Sequence, residues 1–151
     1  MTVSPQTGRV TAELADRDEL IAVLELLSHL LAAVDSDRLD EVFSADVLVR
    51  LPGSDPFRGL KRLQTKAAAD LSRYGPSQHL ILNPLIEVEG DTARIRANLV
   101  ARHLWSRDPA GPYWELGGFY ELGARRTAAG WRISELAITP VWTSGESRLG
   151  L

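Results

Sequence analysis

No cysteine occurs among the 151 residues. That absence excludes cysteine nucleophiles, thiolate zinc sites, iron–sulfur clusters and a disulfide framework, and it fits a reducing compartment, so a cytoplasmic location is the expectation. Basic residues are in slight deficit, 17 Lys and Arg against 20 Asp and Glu, for a formal charge of −3. No positive field is therefore available to attract a phosphate backbone, and nucleic acid is not an expected partner. Long apolar runs are missing as well. The longest, Leu20 to Val34, is interrupted by Glu25, Ser28 and His29 and is too short and too polar to cross a bilayer. Met1 to Ala12 carries Pro5 and Gly8 but no apolar segment, so neither a signal peptide nor a membrane anchor is expected there. The motifs that would settle a function at once are also absent: there is no P-loop, no G-x-G-x-x-G, no G-x-S-x-G elbow, no H-E-x-x-H and no EF-hand loop.

What is present describes one globular domain. The chain is 44% hydrophobic and 25% charged, with 12 Gly and 8 Pro. A chain of this length buries roughly 68 to 70% of its unfolded surface, enough for a core and a pocket within it. Residues 1–15 are expected to form a flexible arm, 16–145 the domain and 146–151 a tail. From Asp16 to Val34, Leu20, Leu24, Leu27, Leu31 and Val34 recur at helical spacing. Asp35, Ser36 and Asp37 break that pattern with three good N-cap residues, and Leu39, Val42 and Phe43 mark a short second helix. Val47 to Leu51 reads as a strand, 52–56 as a loop, and Leu60 to Tyr74 as a third helix closed by Gly75-Pro76. Beyond Pro76 the period changes from helical to alternating. Residues 78–89, 92–106, 113–127 and 130–143 form four long strands separated by turn residues. The resulting expectation is an α+β domain with three N-terminal helices packed on one face of a strongly curved antiparallel sheet. Asn83-Pro84 and Gly117-Gly118 are the expected bulges that let the sheet bend.

Three histidines are available for chemistry. His29 shares a helical face with Glu25, away from the leucine stripe, and reads as a solvated residue. His103 falls on the apolar face of the cleanest alternating strand, with Ile95, Ala97, Leu99, Ala101 and Trp105. An imidazole in that position must find hydrogen bonds or lose basicity by desolvation, and a core histidine satisfied by a backbone carbonyl is the plain alternative. His79 opens the first long strand, where pattern alone leaves its direction undecided. Asp35, taken alone, reads first as a cap, although Ser36 and Asp37 can cap in its place and leave it free. Trp105, Trp114, Trp131 and Trp142, with Tyr113 and Tyr120, fall in the last third of the chain. They suit either a core or the walls of a small-molecule pocket. His79, His103 and Asp35 also supply the ligand types of a two-histidine, one-carboxylate metal site, but no spacing motif supports one.

The order of elements and a set of local phrases resemble the SnoaL-like branch of the nuclear transport factor two-like superfamily. The phrases are Leu31-Ala32-Ala33-Val34-Asp35, Val42-Phe43-Ser44-Ala45-Asp46, Phe57-Arg58-Gly59, Gln78-His79-Leu80-Ile81-Leu82-Asn83, Gly118-Phe119-Tyr120 and Gly130-Trp131-Arg132-Ile133. The resemblance implies a cone-shaped α+β barrel. It also implies an acid–base site, because Asp35, His79 and His103 look like the Asp/His/His set of scytalone dehydratase-like proteins. In that family one histidine acts as base, the aspartate orients an imidazole, and tyrosines polarise the substrate carbonyl. Here Val34 and Leu51 stand where those tyrosines are expected, so the carbonyl-polarising pair is either missing or supplied by Tyr113, Tyr120 or a tryptophan N–H. The expected substrate-binding positions are Phe43, Leu51, Asn83, Trp105, Trp114, Tyr120 and Trp142. The expectation is a cofactor-independent dehydratase or cyclase, requiring no metal, that acts on a hydrophobic, oxygenated, polyketide-like small molecule. A non-catalytic binding or assembly module of the same fold is the alternative. A homodimer formed through the open face of the sheet is expected in either case.

Overall fold

The leucine stripe of the first helix is where the core begins. In the computed structural model, which describes residues 5–149, α1 spans Pro5–Ala33 and buries Leu20, Val23, Leu24, Leu27 and Leu30. The helix starts well before the periodicity indicates. Residues 5–15, expected as a flexible arm, are helical, and because 6–15 are exposed no apolar stripe reveals them. The first four residues of that arm and the last two of the tail lie outside the described residues. At its far end α1 stops on Val34, whose φ of 57° is left-handed, while the Asp35 N–H donates back to the Leu30 carbonyl at 2.9 Å. This is a Schellman closure with a β-branched residue in the place where glycine is usual.

The second helix is reduced to one 3-10 turn, Asp37–Glu41, so the described residues form two α-helices rather than three. Tertiary pairing claims the residues that would have continued it: the Val42 carbonyl accepts the Ile133 N–H, and Phe43 opens β1 (Phe43–Arg50). That strand therefore starts four residues earlier than the alternation around Val47 suggests. A two-residue strand, β2 (Phe57–Arg58), pairs back on β1 and leads into α2 (Leu60–Leu71). The long strands follow as β3 (Ser77–Glu89), β4 (Thr92–Leu104), β5 (Tyr113–Thr127) and β6 (Gly130–Gly145).

All six strands make one sheet in the order β2-β1-β6-β5-β4-β3. The meander β3 to β6 is antiparallel, but β1 pairs parallel with β6, a departure from the all-antiparallel expectation. The register shifts between Leu82 and Leu85 and between Gly117 and Gly118, at the two expected bulges, and again between Gly123 and Ala124. Asn83 takes a φ of 52° at the first of them. Such shifts let a sheet this long curve around the helices instead of splaying. Ala93, Ile95, Ala97, Leu99, Ala101 and His103 are buried on the concave face of β4, while Arg94, Arg96 and Asn98 are exposed on the other. An ion-paired corner pins α1 to the β5–β6 hairpin: Arg126 makes two bonds to Asp16, and Asp16 also accepts the Trp131 indole N–H at 3.1 Å.

Candidate active site

The register of β3 against β4 brings the two inward histidines together. Ser77 lies opposite His103 and His79 opposite Ala101, so His79 and His103 are diagonal neighbours on one face, with the small Ala101 leaving room between them. Their ring centroids are 5.0 Å apart, edge to face. His103 packs against two aromatic rings, Tyr74 at 4.7 Å and Trp114 at 5.4 Å, the latter nearly parallel at 17°, and those two rings also stack on each other at 6.2 Å. Its Nδ1 is 2.9 Å from Ser77 Oγ. The backbone carbonyl of His79 accepts a hydrogen bond from Ser28 on α1, which ties the strand to the helix above it. The His79 Nδ1 is sealed from solvent and has no hydrogen-bond partner among the described residues.

Both rings border a cavity of about 240 Å³. Its walls are apolar, from Leu27 and Leu31 of α1, Leu63, Ala67 and Leu71 of α2, and Leu99, Leu116 and Leu136 of the sheet. At the mouth, Lys66 and Asp70 of α2 form a 2.8 Å ion pair beside the 52–54 loop. Polar groups in an apolar enclosure are expensive unless they are paired or neutral. Burial accordingly pushes the His79 imidazole down to about 3, with a further contribution from the charge of His103, and pushes His103 down to about 4. Both rings are neutral at pH 7. Burial also drives the Tyr120 phenol above its ordinary value, so it remains a donor, and among the described residues its hydroxyl makes no hydrogen bond to a protein group.

Six of the ten expected site residues line this cavity, Phe43, Leu51, His79, His103, Trp114 and Tyr120, whereas the other four are elsewhere. Asp35 is not in the lining. Its side chain is 38% exposed and 3.9 Å from Arg38, and among the described residues it makes no hydrogen bond to either histidine. Asn83 is exposed at the bulge it creates. Trp105 lies beyond the end of β4, where its indole N–H donates to the Glu146 carbonyl at 3.1 Å. Trp142 faces the convex side of the sheet, stacked over Gly117 and 45% exposed. Tyr113, one candidate for the missing carbonyl donor, is bonded to Ser144 and covered by the Arg102 guanidinium. Tyr74, Ser77 and Lys66 were not singled out in the sequence, since a helix-terminal tyrosine and a lone strand serine carry no signal until the strand register is known. Among the described residues no group of three or more His, Asp or Glu side chains gathers into a metal site.

A small α+β cone closed over an apolar cavity, with a few polar groups at its floor, defines a small-molecule-binding domain. The chain belongs to the SnoaL-like domain family, whose model matches residues 12–137. Among curated proteins none matches it. Among solved structures it is similar to the Kfla4162 protein of Kribbella flavida, with 23% identity over 87% of this chain and 95% of that one and a TM-score of 0.82. It is also similar to a provisionally assigned scytalone dehydratase of Novosphingobium aromaticivorans, with 16% identity, 91% of each chain and a TM-score of 0.80. A provisionally assigned dehydratase of Streptomyces avermitilis matches at 16% identity, 85% of this chain and 98% of that one, with a TM-score of 0.75. At these identities the likeness establishes the nuclear transport factor two-like fold and leaves the chemistry to the site.

Proposed function

We propose that this protein is a cofactor-independent lyase or cyclase that dehydrates or closes a hydrophobic, oxygenated, polyketide-like small molecule by acid–base chemistry. The observation that supports this most is that two neutral imidazoles and the Tyr120 phenol all line one apolar cavity. In this reading His103 takes a proton from a carbon next to the substrate carbonyl, and the C–H electron pair moves into an enolate. The Tyr120 O–H donates to the developing oxyanion, taking the role of the tyrosines that Val34 and Leu51 replace. The imidazolium of His103 then returns its proton to the leaving hydroxyl, the C–O bond breaks, and water departs with both histidines neutral again. Burial disfavours an isolated imidazolium, but the enolate formed beside it is its counter-charge. Asp35 is left to its contact with Arg38, and the hydrogen-bond partner of His103 is Ser77.

One observation favours a second reading, a non-catalytic binding module: among the described residues no carboxylate touches either imidazole to raise its basicity. The two readings separate in heavy water. We would incubate the protein with a panel of cyclic β-hydroxy ketones of one and two rings and follow the absorbance of the conjugated enone. Deuterium at the carbon next to the carbonyl in recovered substrate would be measured in parallel. Catalysed exchange and enone formation are expected for at least one member. Saturable binding of panel members with no exchange and no product would favour the binding module.

Homodimerisation belongs to the same proposal. The convex face of the sheet carries Leu80, Val100 and Trp142 in one cross-strand row and Leu82 and Phe119 in the next, with Leu80, Leu82 and Trp142 exposed. An apolar patch of this kind on a folded domain marks an interaction surface. Among the described residues no helix is long and apolar enough to cross a membrane.

A further inference from the structure

Two contacts meet at one hydroxyl. Ser77 Oγ is 2.9 Å from His103 Nδ1 and 3.4 Å from the Gly75 carbonyl, yet it has a single proton to give. If that proton went to Nδ1, the Gly75 oxygen would face only a lone pair, and no other donor to it occurs among the described residues. If Nδ1 instead carries the proton and donates to Oγ, the hydroxyl turns to Gly75 and both contacts become hydrogen bonds. The tight turn at Gly75 and Pro76 fixes this geometry, since the Gly75 N–H is bonded to the Leu104 carbonyl at 2.7 Å and the Leu104 N–H to Pro76 at 2.9 Å. Packed against Tyr74 and Trp114 in a cluster of three rings, the imidazole exchanges its nitrogens only by disturbing both contacts.

We infer that Ser77 is a positioning residue: it holds His103 in the Nδ1–H tautomer and so presents the Nε2 lone pair to the cavity. The inference rests on the proposed acid–base function and supplies it with the orienting partner that Asp35 does not provide. An independent observation sets the second histidine the opposite way. The His79 Nδ1 is sealed without a partner among the described residues, and a buried N–H with no acceptor is rarer than an unsatisfied acceptor. His79 therefore keeps its proton on Nε2. The floor of the cavity then offers one imidazole acceptor and one imidazole donor side by side. That arrangement matches a β-hydroxy carbonyl compound, whose acidic C–H faces the acceptor while its hydroxyl oxygen accepts from the donor.

The direct test is long-range proton–nitrogen correlation spectroscopy of the imidazoles in the uniformly ¹⁵N-labelled, ligand-free protein at pH 7. Wild type and Ser77→Thr are expected to show His103 protonated on Nδ1 and His79 on Nε2. Ser77→Ala is expected to move His103 toward the Nε2–H form, which an unconstrained imidazole favours, and to leave His79 unchanged. With a panel substrate that the wild type turns over, Ser77→Ala should lower kcat by about 10- to 100-fold, the usual cost of losing a partner that orients an imidazole, with KM unchanged and Ser77→Thr restoring it. His103 protonated on Nε2 in the wild type, or unmoved by Ser77→Ala, overturns the inference. If that happens while His103→Ala still loses turnover, the proposed base stands and only the role of Ser77 falls. If instead His103→Ala keeps turnover while the tautomers are as stated, the proposed base falls and the tautomer assignment stands.

Discussion

His103 was legible at the residue scale because strict alternation over a long strand leaves only one face for every second side chain. His79 was not, since its direction depends on the register of β3 against β4, which no single strand encodes. Asp35 illustrates the opposite limit. A helix-terminal aspartate before a turn fits both a cap and a dyad partner, and the structure gives it Arg38 as neighbour instead. The buried histidines carry a consequence for stability. Each has a folded pKa below its unfolded value of about 6.5, so the unfolded chain binds more protons as pH falls below that value. Stability is untouched above pH 6.5 and lost progressively from there toward pH 4 to 3. At pH 5 each histidine should cost about 2 kcal/mol relative to pH 7. Urea unfolding of the wild type and of His79→Gln at the two pH values checks this: the variant should lose less stability than the wild type, and equal losses would show that His79 titrates normally.

Among the elements, the four long strands and both bulges were visible because Gly, Pro and Asn mark the bends and β-branched residues fill the runs between them. The short second helix was not, because a five-residue segment has no periodicity strong enough to resist pairing of its neighbours with β6. Nor was the first part of α1, whose exposed face carries no apolar signal. The end of α1 yields a prediction of its own. Val34 sits at a left-handed φ of 57° with two Cβ branches, a conformation that costs roughly 1 to 2 kcal/mol. Its side chain is not part of the hydrophobic core. Val34→Asn, which tolerates that region, should stabilise the protein by about 1 kcal/mol and raise Tm by about 2 to 4 °C. A lowered Tm would mean that the valine contributes packing worth more than its strain.

For the molecule as a whole, helices followed by a curved meander were enough to give the architecture, whereas the cavity was not visible in the chain. It exists only because α2 and the 52–54 loop close over the concave face at a distance set by side chains far apart in sequence. The same curvature turns the convex face outward. If two copies bury it, light scattering on the eluting protein should return twice the chain mass, and Trp142→Arg should return a single chain with the circular dichroism of the wild type. A monomeric wild type would remove the dimer from the account.

The central claim is that a neutral, desolvated His103 is the base at the floor of the cavity. It is tested most directly by comparing His103→Ala with the wild type on a β-hydroxy ketone that the wild type dehydrates, with melting curves recorded alongside. The account predicts that turnover falls by roughly two to four orders of magnitude, the usual contribution of a positioned general base, while the variant still unfolds cooperatively. A folded His103→Ala variant that retains wild-type turnover would contradict it.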